Sequence, residues 1–158
     1  MLAYYFFFIF DLNNYEMKNT TIDYIIKSTW TTIAKMYNEE ASKYGGNMTI
    51  GYALLNIDKE HGIQSTALAP RLGMEPTSLT RTLKTMEEKG LIYKKKNPKD
   101  GRGVFIHLTE FGLEKREISK QTVLAFNQLV ENNIKPEDLK TFLTVSEKIH
   151  ELVQKRTK

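Results

Sequence analysis

Long apolar stripes at both ends of the chain constrain its fold more than any other feature. Residues 21–44 repeat apolar side chains every three or four positions: Ile22, Ile25, Ile26, Trp30, Ile33 and Tyr37. Residues 110–156 continue this period in two segments, which Asn132-Asn133 and Pro136 separate. Such spacing predicts amphipathic helices, whose stripes need a partner. Packing against the same rods of a second copy gives a closed two-fold dimer, so we expect dimerisation helices at about 20–45 and 110–156.

The middle of the chain predicts three shorter helices. Thr49 can cap the first, which would end at Gly62. The other two follow at residues 67–73 and 76–90. Pro76 suits the first turn of the last one, because its missing N–H would have no partner there.

After residue 90 the apolar period changes from that of a helix to that of strands. Residues 91–93 and 104–108 predict two strands, joined by a loop rich in Pro, Gly and charged residues. Alternate residues of the second strand share a face: Val104, Ile106 and Leu108 on one, Phe105 and His107 on the other. The predicted fold class is mainly α with a small β-hairpin wing. It places a winged helix-turn-helix at about 48–109, flanked by a dimerisation region of N- and C-terminal helices.

The length of 158 residues suits one domain. Residues 1–10 are uncharged and apolar, too short for a membrane span and without the basic start of a signal peptide. Our hypothesis is that Met17 is the biological start. Residues 1–16 are then a doubtful extension, and 17–158 form a single domain.

Composition excludes several classes of site. The chain has no cysteine, which excludes disulfides and thiolate metal sites and favours a reducing, cytoplasmic location. Its three histidines, His61, His107 and His150, are far apart in sequence, so no metal site is expected. No nucleophile stands beside a base, and no glycine loop suits a phosphate. We therefore expect no enzyme activity, no cofactor and no membrane association.

Positive charge is concentrated in the middle of the chain. Residues 64–107 carry nine basic and four acidic residues, a surplus of five, whereas the whole chain has a net charge of +4. A basic stretch on an otherwise neutral protein is typical of polyanion binding, although a solvated lysine-rich surface has the same composition. Charge alone leaves both interpretations open.

Residues 65–89 fit a helix-turn-helix. Ala69 is small where the second helix would cross the first, and Gly73 lies at the turn, where a left-handed backbone is often needed. Leu79, Leu83 and Met86 form a stripe that would hold the second helix against the protein.

The opposite face of that helix is polar and cationic. On a helical wheel Thr77, Arg81 and Lys84 lie roughly opposite the apolar stripe, flanked by Ser78, Thr80 and Thr85. Hydroxyls, arginine and lysine reach phosphates and base edges in a major groove, and arginine can pair bidentately with guanine. A merely solvated face is the alternative for this helix alone. The spacing of the small, glycine and apolar positions favours DNA binding.

Four segments carry a family resemblance: LAPRLG at 68–73, SLTRTL at 78–83, MEEKGLI at 86–92 and DGRGVFIHLTEFG at 100–112. Together they resemble the MarR family of winged helix-turn-helix transcription regulators, over about residues 20–155. The most specific part is Asp-x-Arg in the wing followed by Leu-Thr-x-x-Gly. The resemblance implies a triangular homodimer that binds double-stranded DNA at a near-palindromic operator. Repression or activation depends on where the operator lies; repression is our expectation.

The resemblance also implies contacts at individual positions. Ser78, Thr80 and Arg81 would contact DNA from the recognition helix, and Arg102 would enter the minor groove beside Asp100. The wing sequence is also good turn chemistry, so a simple turn is the alternative there. Ser65 and Thr66 would lie near phosphates at the start of the preceding helix, and the helical wheel adds Thr77 and Lys84. The expected DNA-binding set is therefore Ser65, Thr66, Thr77, Ser78, Thr80, Arg81, Lys84, Asp100 and Arg102.

Many members of the family release DNA when a small aromatic ligand binds between the dimer helices and the winged domain. Trp30, Tyr37 and Tyr52 could line such a cleft here, and ordinary core aromatics are the alternative. Oxidant sensing through cysteine is excluded, because the chain has none. The alternative function is a winged-helix module that docks on proteins without binding nucleic acid.

Overall fold

The computed structural model describes residues 21–96 and 103–156, and within them the chain forms six helices and three strands. The helices are α1 (Ile22–Ser42), α2 (Met48–Asn56), α3 (Ser65–Leu72), α4 (Pro76–Glu88), α5 (Glu110–Asn133) and α6 (Pro136–Arg156). The strands are β1 (Ile63–Gln64), β2 (Ile92–Lys96) and β3 (Val104–Leu108). The mainly helical winged fold predicted from the sequence is confirmed.

The hydrophobic core lies in the middle of the chain, among α2, α3, α4 and the strands. Its largest fully buried side chains come from different elements: Leu54, Ile57, Leu68, Met86 and Ile106. Full burial of a side chain of this size contributes about 1.5–3 kcal/mol relative to leaving it in water. These contacts therefore hold the three short helices and the sheet together as one unit.

The sheet has three antiparallel strands in the order β1-β3-β2, whereas the sequence predicted a two-stranded hairpin. Ile63 of β1 pairs with Ile106, and Ile92 of β2 pairs with Leu108. The prediction missed β1 because a strand of two residues is too short to show an alternating pattern. Ile106 and Leu108 are buried, as the predicted alternation of β3 required.

The start and end of α2 differ from the prediction. Thr49 lies inside the helix, and Asn47 occupies the N-cap, where its side-chain oxygen accepts a hydrogen bond from the Ile50 N–H at 2.9 Å. Asparagine is among the best N-cap residues, so the predicted cap was wrong by two positions. The helix ends at Asn56, and Gly62, at a φ of 67°, closes the turn that follows it.

The helix α3 also begins earlier than expected. It includes Ser65 and Thr66, and Gln64 stands at its N-cap without a side-chain cap bond. Gln64 also belongs to β1, so the strand passes directly into the helix. This arrangement places the first turn of α3 at the edge of the sheet.

The three long helices bury little within their own chain. Tyr37 is the buried residue of α1 and Gly112 that of α5, while α6, all of it described, buries none. Their exposed large apolar side chains include Ile22, Ile25, Ile26, Trp30, Leu124, Leu129, Phe142, Leu143 and Leu152. No helix among the described residues is long and apolar enough to span a bilayer.

The N-cap of α2 can be tested by thermodynamics. Asn47→Ala removes the acceptor of the Ile50 N–H and should lower the free energy of unfolding by about 1 kcal/mol in urea titrations. Asn127→Ala is the matched control, because the Asn127 side chain only donates to the Val123 carbonyl one turn back on an exposed face. Equal losses in the two variants would contradict this role of Asn47.

Candidate nucleic-acid interface

The apolar side of α4 is anchored in the core. Leu79, Leu83 and Met86 are 4%, 6% and 0% exposed, as the sequence predicted for the stripe that holds this helix. Their spacing puts all three on one side, so the opposite side must face outward. Burial of these residues therefore decides which face of α4 is free.

The free face carries the predicted polar residues. Thr77, Ser78, Thr80, Arg81 and Lys84 are all exposed. The Lys84 ammonium lies 3.8 Å from the Glu88 carboxylate, with both side chains largely in solvent, and such a pair is weak. Lys84 can therefore exchange this partner for a phosphate at little cost.

The hydroxyls on this face differ in what they can do. The Thr80 hydroxyl donates to the Pro76 carbonyl at 2.9 Å, which leaves its oxygen lone pairs for an external donor such as a base amino group. The Ser78 hydroxyl makes no hydrogen bond with a described residue, so it can donate to a phosphate. The two hydroxyls lie on opposite flanks of the free face and thus offer one acceptor and one donor.

The turn of the helix-turn-helix has the predicted geometry. Gly73 adopts a φ of 59° and ψ of 35°, in the left-handed region, at the end of α3. The Met74 N–H closes the turn on the Ala69 carbonyl at 3.0 Å. Ala69 is buried, and its small side chain lets α3 and α4 approach. Ser65 is half-buried and Thr66 exposed in the first turn of α3, where backbone N–H groups lack intrahelical partners.

The base of the wing is tied to α4. The Lys94 ammonium of β2 lies 2.5 Å from the Glu87 carboxylate near the end of α4. Lys95 and Lys96, further along β2, are exposed. The basic stretch of the sequence includes these lysines, but no individual role was predicted for them. Asp100 and Arg102, expected in the wing, lie outside the described residues.

A cavity of about 250 Å³ lies between α1, α2 and the first half of α5. Tyr37 and Tyr52, both predicted cleft residues, line it. Trp30 does not line it: its ring stacks near Tyr52, with centroids 6.4 Å apart. Tyr37 meets Tyr52 edge-on at 6.1 Å and Phe126 at 5.7 Å, so the aromatics are packed as well as cavity-lining.

The cavity combines an apolar wall with two cations, Lys89 and Lys115, and one carboxylate, Glu40. The Lys115 ammonium also pairs with the Glu114 carboxylate at 3.0 Å. Burial raises the pKa of the Tyr37 and Tyr52 phenols, so both stay neutral and can donate hydrogen bonds. Lys115 places its ammonium 4.8 Å from the centroid of the Phe111 ring. Lys89 donates to the Gly45 carbonyl at 3.1 Å, also at the cavity wall. The described residues contain no cluster of three side chains that could hold a metal ion.

The middle of the chain is similar in sequence to a known protein family. Residues 47–104 match the family model described as MarR family. The HTH-type transcriptional regulator YdgJ of Bacillus subtilis is 28% identical over 83 residues, which are 52% of this chain and 51% of that protein. SarZ of Staphylococcus epidermidis, also an HTH-type transcriptional regulator, is 27% identical over 137 residues, or 84% of this chain and 91% of SarZ. The chain thus spans about half the length of the first relative and most of the second.

Solved structures share the fold. The S. aureus MepR–DNA complex matches with a TM-score of 0.77 at 17% identity, covering 84% of this chain and 98% of MepR. The regulator SlyA matches at 0.77 with 18% identity over 86% of this chain and 96% of SlyA. A mutant MarR from E. coli complexed with operator DNA matches at 0.71 with 25% identity, covering 79% of this chain and 90% of that one. Residues 47–104 are thus similar to the MarR family, and the chain has the fold of winged helix-turn-helix proteins.

Proposed function

We propose that the chain is a sequence-specific, double-stranded DNA-binding regulator of transcription, that it acts as a cytoplasmic repressor and that it has no enzymatic role. The observation that carries this proposal is the free face of α4, where Arg81 and Lys84 project opposite a buried leucine stripe. Support comes from relatives named as transcriptional regulators and from two similar structures solved with DNA.

In the proposed complex α4 enters the major groove. Arg81 pairs with a guanine edge, Thr80 accepts from a base amino group and Ser78 donates to a phosphate. Thr77 and Lys84 contact the backbone on either side. A second set of contacts comes from the start of α3, where Ser65 and Thr66 meet a phosphate, and from the wing, where Arg102 enters the minor groove beside Asp100.

The protein would bind as a homodimer. An isolated chain leaves α6 with no buried residue and α1 with a single one, although each has 21 residues. Helices of this kind gain their stability from packing of an apolar face, so they need a surface outside their own chain. A second copy supplies the same stripes, and residues 20–45 and 110–156 would form the two-fold interface within one domain at 17–158. The two winged parts at 48–109 would then read the halves of a near-palindromic operator.

A small aromatic ligand is proposed to release the protein from DNA. The cavity is larger than the roughly 150 Å³ that holds benzene in an engineered apolar site. Lys115 and Lys89 at its wall suit a ligand with an anionic group, and Lys89 directly follows α4. A ligand that drew Lys89 from the Gly45 carbonyl would disturb the end of the recognition helix.

The first test concerns Arg81. An inverted repeat from the DNA flanking the gene serves as the specific duplex, and a scrambled duplex as the reference, in fluorescence anisotropy titrations. Arg81→Ala should cost about 1–3 kcal/mol on the specific duplex and less on the scrambled one, because a bidentate base contact is lost. Lys35→Ala, an exposed cation of α1 with 78% of its side chain in solvent, is the matched control and should bind as wild type.

The dependence of affinity on salt and on duplex sequence distinguishes DNA binding from the protein-docking alternative. With about six to ten phosphate contacts per dimer, affinity should fall by roughly 10³–10⁵ between about 50 and 200 mM salt. Equal losses on both duplexes would make Arg81 a phosphate contact. Absence of duplex binding at any salt concentration would reject DNA reading and favour the protein-docking alternative.

The second test concerns the dimer. Phe142→Asp places a charge on an α6 side chain that is 65% exposed in the single chain, and should convert the dimer to monomer in sedimentation velocity because a buried unpaired charge is costly. Thr144→Asp is the control, since Thr144 lies about 200° around the helix from Phe142. A wild-type monomer at micromolar concentration would contradict the proposed assembly.

The third test concerns the cavity. Trp30, the only tryptophan of the chain, stacks near Tyr52 and should report ligand binding through its fluorescence. Benzoate should change this signal and release the specific duplex. Lys115→Gln should weaken both effects about tenfold, the scale of one lost charge-assisted hydrogen bond. Lys120→Gln, exposed on α5 away from the cavity lining, should not; the same benzoate affinity in both variants would reject the site.

A further inference from the structure

Thr109 lies between β3 and α5, and its backbone N–H, its carbonyl and its hydroxyl all make hydrogen bonds. Its N–H donates to the Leu91 carbonyl at 3.1 Å, and its hydroxyl donates to the Gly90 carbonyl at 2.6 Å. The hydroxyl oxygen accepts from the Gly112 N–H at 2.9 Å, and its carbonyl accepts from the Leu113 N–H at 2.8 Å. Two of these bonds thus go to the segment that ends the recognition helix, and two begin α5.

Gly90 and Leu91, whose carbonyls accept the hydrogen bonds of Thr109, also close the end of α4. The Gly90 N–H donates to the Glu87 carbonyl and the Leu91 N–H to the Met86 carbonyl, each at 2.9 Å. Gly90 adopts a φ of 67°, the left-handed conformation typical of this kind of helix end. The end of α4 and the start of α5 therefore share one hydrogen-bonded joint, which we call the Thr109 joint.

Gly112 lets the first turn of α5 approach the backbone that follows α4. A Cβ at position 112 would lie 2.0 Å from the Leu91 carbonyl oxygen, well inside contact distance. The first turn of α5 thus rests directly on the backbone that follows α4. A side chain at this position would force the two helices to shift relative to each other.

The helix α5 also packs closely along α2. A Cβ at Gly51 of α2 would meet the Ser119 hydroxyl of α5 at 3.4 Å, and the Arg116 guanidinium of α5 donates to the Leu55 carbonyl at 3.4 Å. These contacts hold α5 against α2 and do not reach α4 directly. The Lys89 ammonium reaches the Gly45 carbonyl through a long, rotatable side chain. The Thr109 joint instead connects the end of α4 to the start of α5 through the Thr109 backbone and its short hydroxyl side chain, which two backbone groups hold in place.

We propose that Thr109 and Gly112 are positioning residues that fix the orientation of the recognition helix relative to the dimerisation helix α5, and so set the spacing of operator half-sites. This inference rests on the proposed DNA-binding dimer. The joint lies at the C-terminal end of α4, whereas Ser78 and Arg81 lie toward its N-terminal end. A helix of 13 residues is about 20 Å long, so a tilt of about 10° moves its far end by about 3.5 Å. That displacement is close to the rise of one base pair, about 3.4 Å.

The joint can be tested without DNA. Because the chain has no cysteine, Lys84→Cys on α4 and Lys120→Cys on α5 give two specific spin labels in one chain. Diluting the labelled chain into excess unlabelled protein makes the measured distance intramolecular, whatever the assembly. Thr109→Val removes the hydroxyl and should shift or broaden the distance distribution, and Gly112→Ala should do the same. Thr109→Ser keeps the hydroxyl and should restore the wild-type distribution. Unchanged distributions in Thr109→Val and Gly112→Ala would overturn the proposal.

Operator spacing provides the second readout. Duplexes carry the two half-sites at the preferred separation or one base pair closer or further apart. Thr109→Val should reduce the preference for the wild-type spacing by about tenfold, which is the scale of one mismatched base pair. Ile57→Val, a core variant that lowers stability and leaves the hydrogen bonds of Thr109 in place, should keep that preference. If Thr109→Val kept it too, the positioning role would be rejected. If the wild type bound no duplex, the proposed function would fail while the label distances still judged the joint.

Discussion

The structure depends first on burial of one side of the recognition helix. Leu79, Leu83 and Met86 pack into the core, and this single constraint turns the remaining side of α4 outward. The helix itself has no side-chain cap at its start, so its N-terminal end adds little to its stability. Its position, and with it the direction of Arg81, is set by packing.

One region of the chain buries its apolar side chains within a single copy, and another leaves them exposed. The core residues of the middle region bury one another within a single copy. The long helices instead leave wide apolar stripes in solvent, from Ile22 on α1 to Leu152 on α6. We infer that the apolar surfaces that would hold two copies together also set the orientation of α4 in each copy. The reason is that α5 carries part of this apolar surface and is joined at its start to the end of α4 by Thr109.

The end of α4 is a meeting point for three structural connections. Glu87 pairs with the wing through Lys94, Lys89 reaches the loop after α1 at the wall of the aromatic cavity, and the segment after Lys89 bonds to Thr109. A change at the base of the wing, in the cavity or in the long helices would therefore reach α4 through the same few residues.

Much of this architecture is visible in the sequence, because a helical stripe such as that of α4 requires only the 3.6-residue period to be recognised. The strand β1 was missed, since two residues carry no period, and the cap of α2 was misplaced, since Asn47 and Thr49 are both good caps in isolation. A tertiary contact decided the first point, because Ile63 pairs with Ile106 of β3. A local hydrogen bond decided the second, because the Ile50 N–H donates to the Asn47 side chain. Likewise the residue types determined which face of each helix is apolar, whereas the cavity, and the contact of α5 with the end of α4, depend on distances between segments that are remote along the chain.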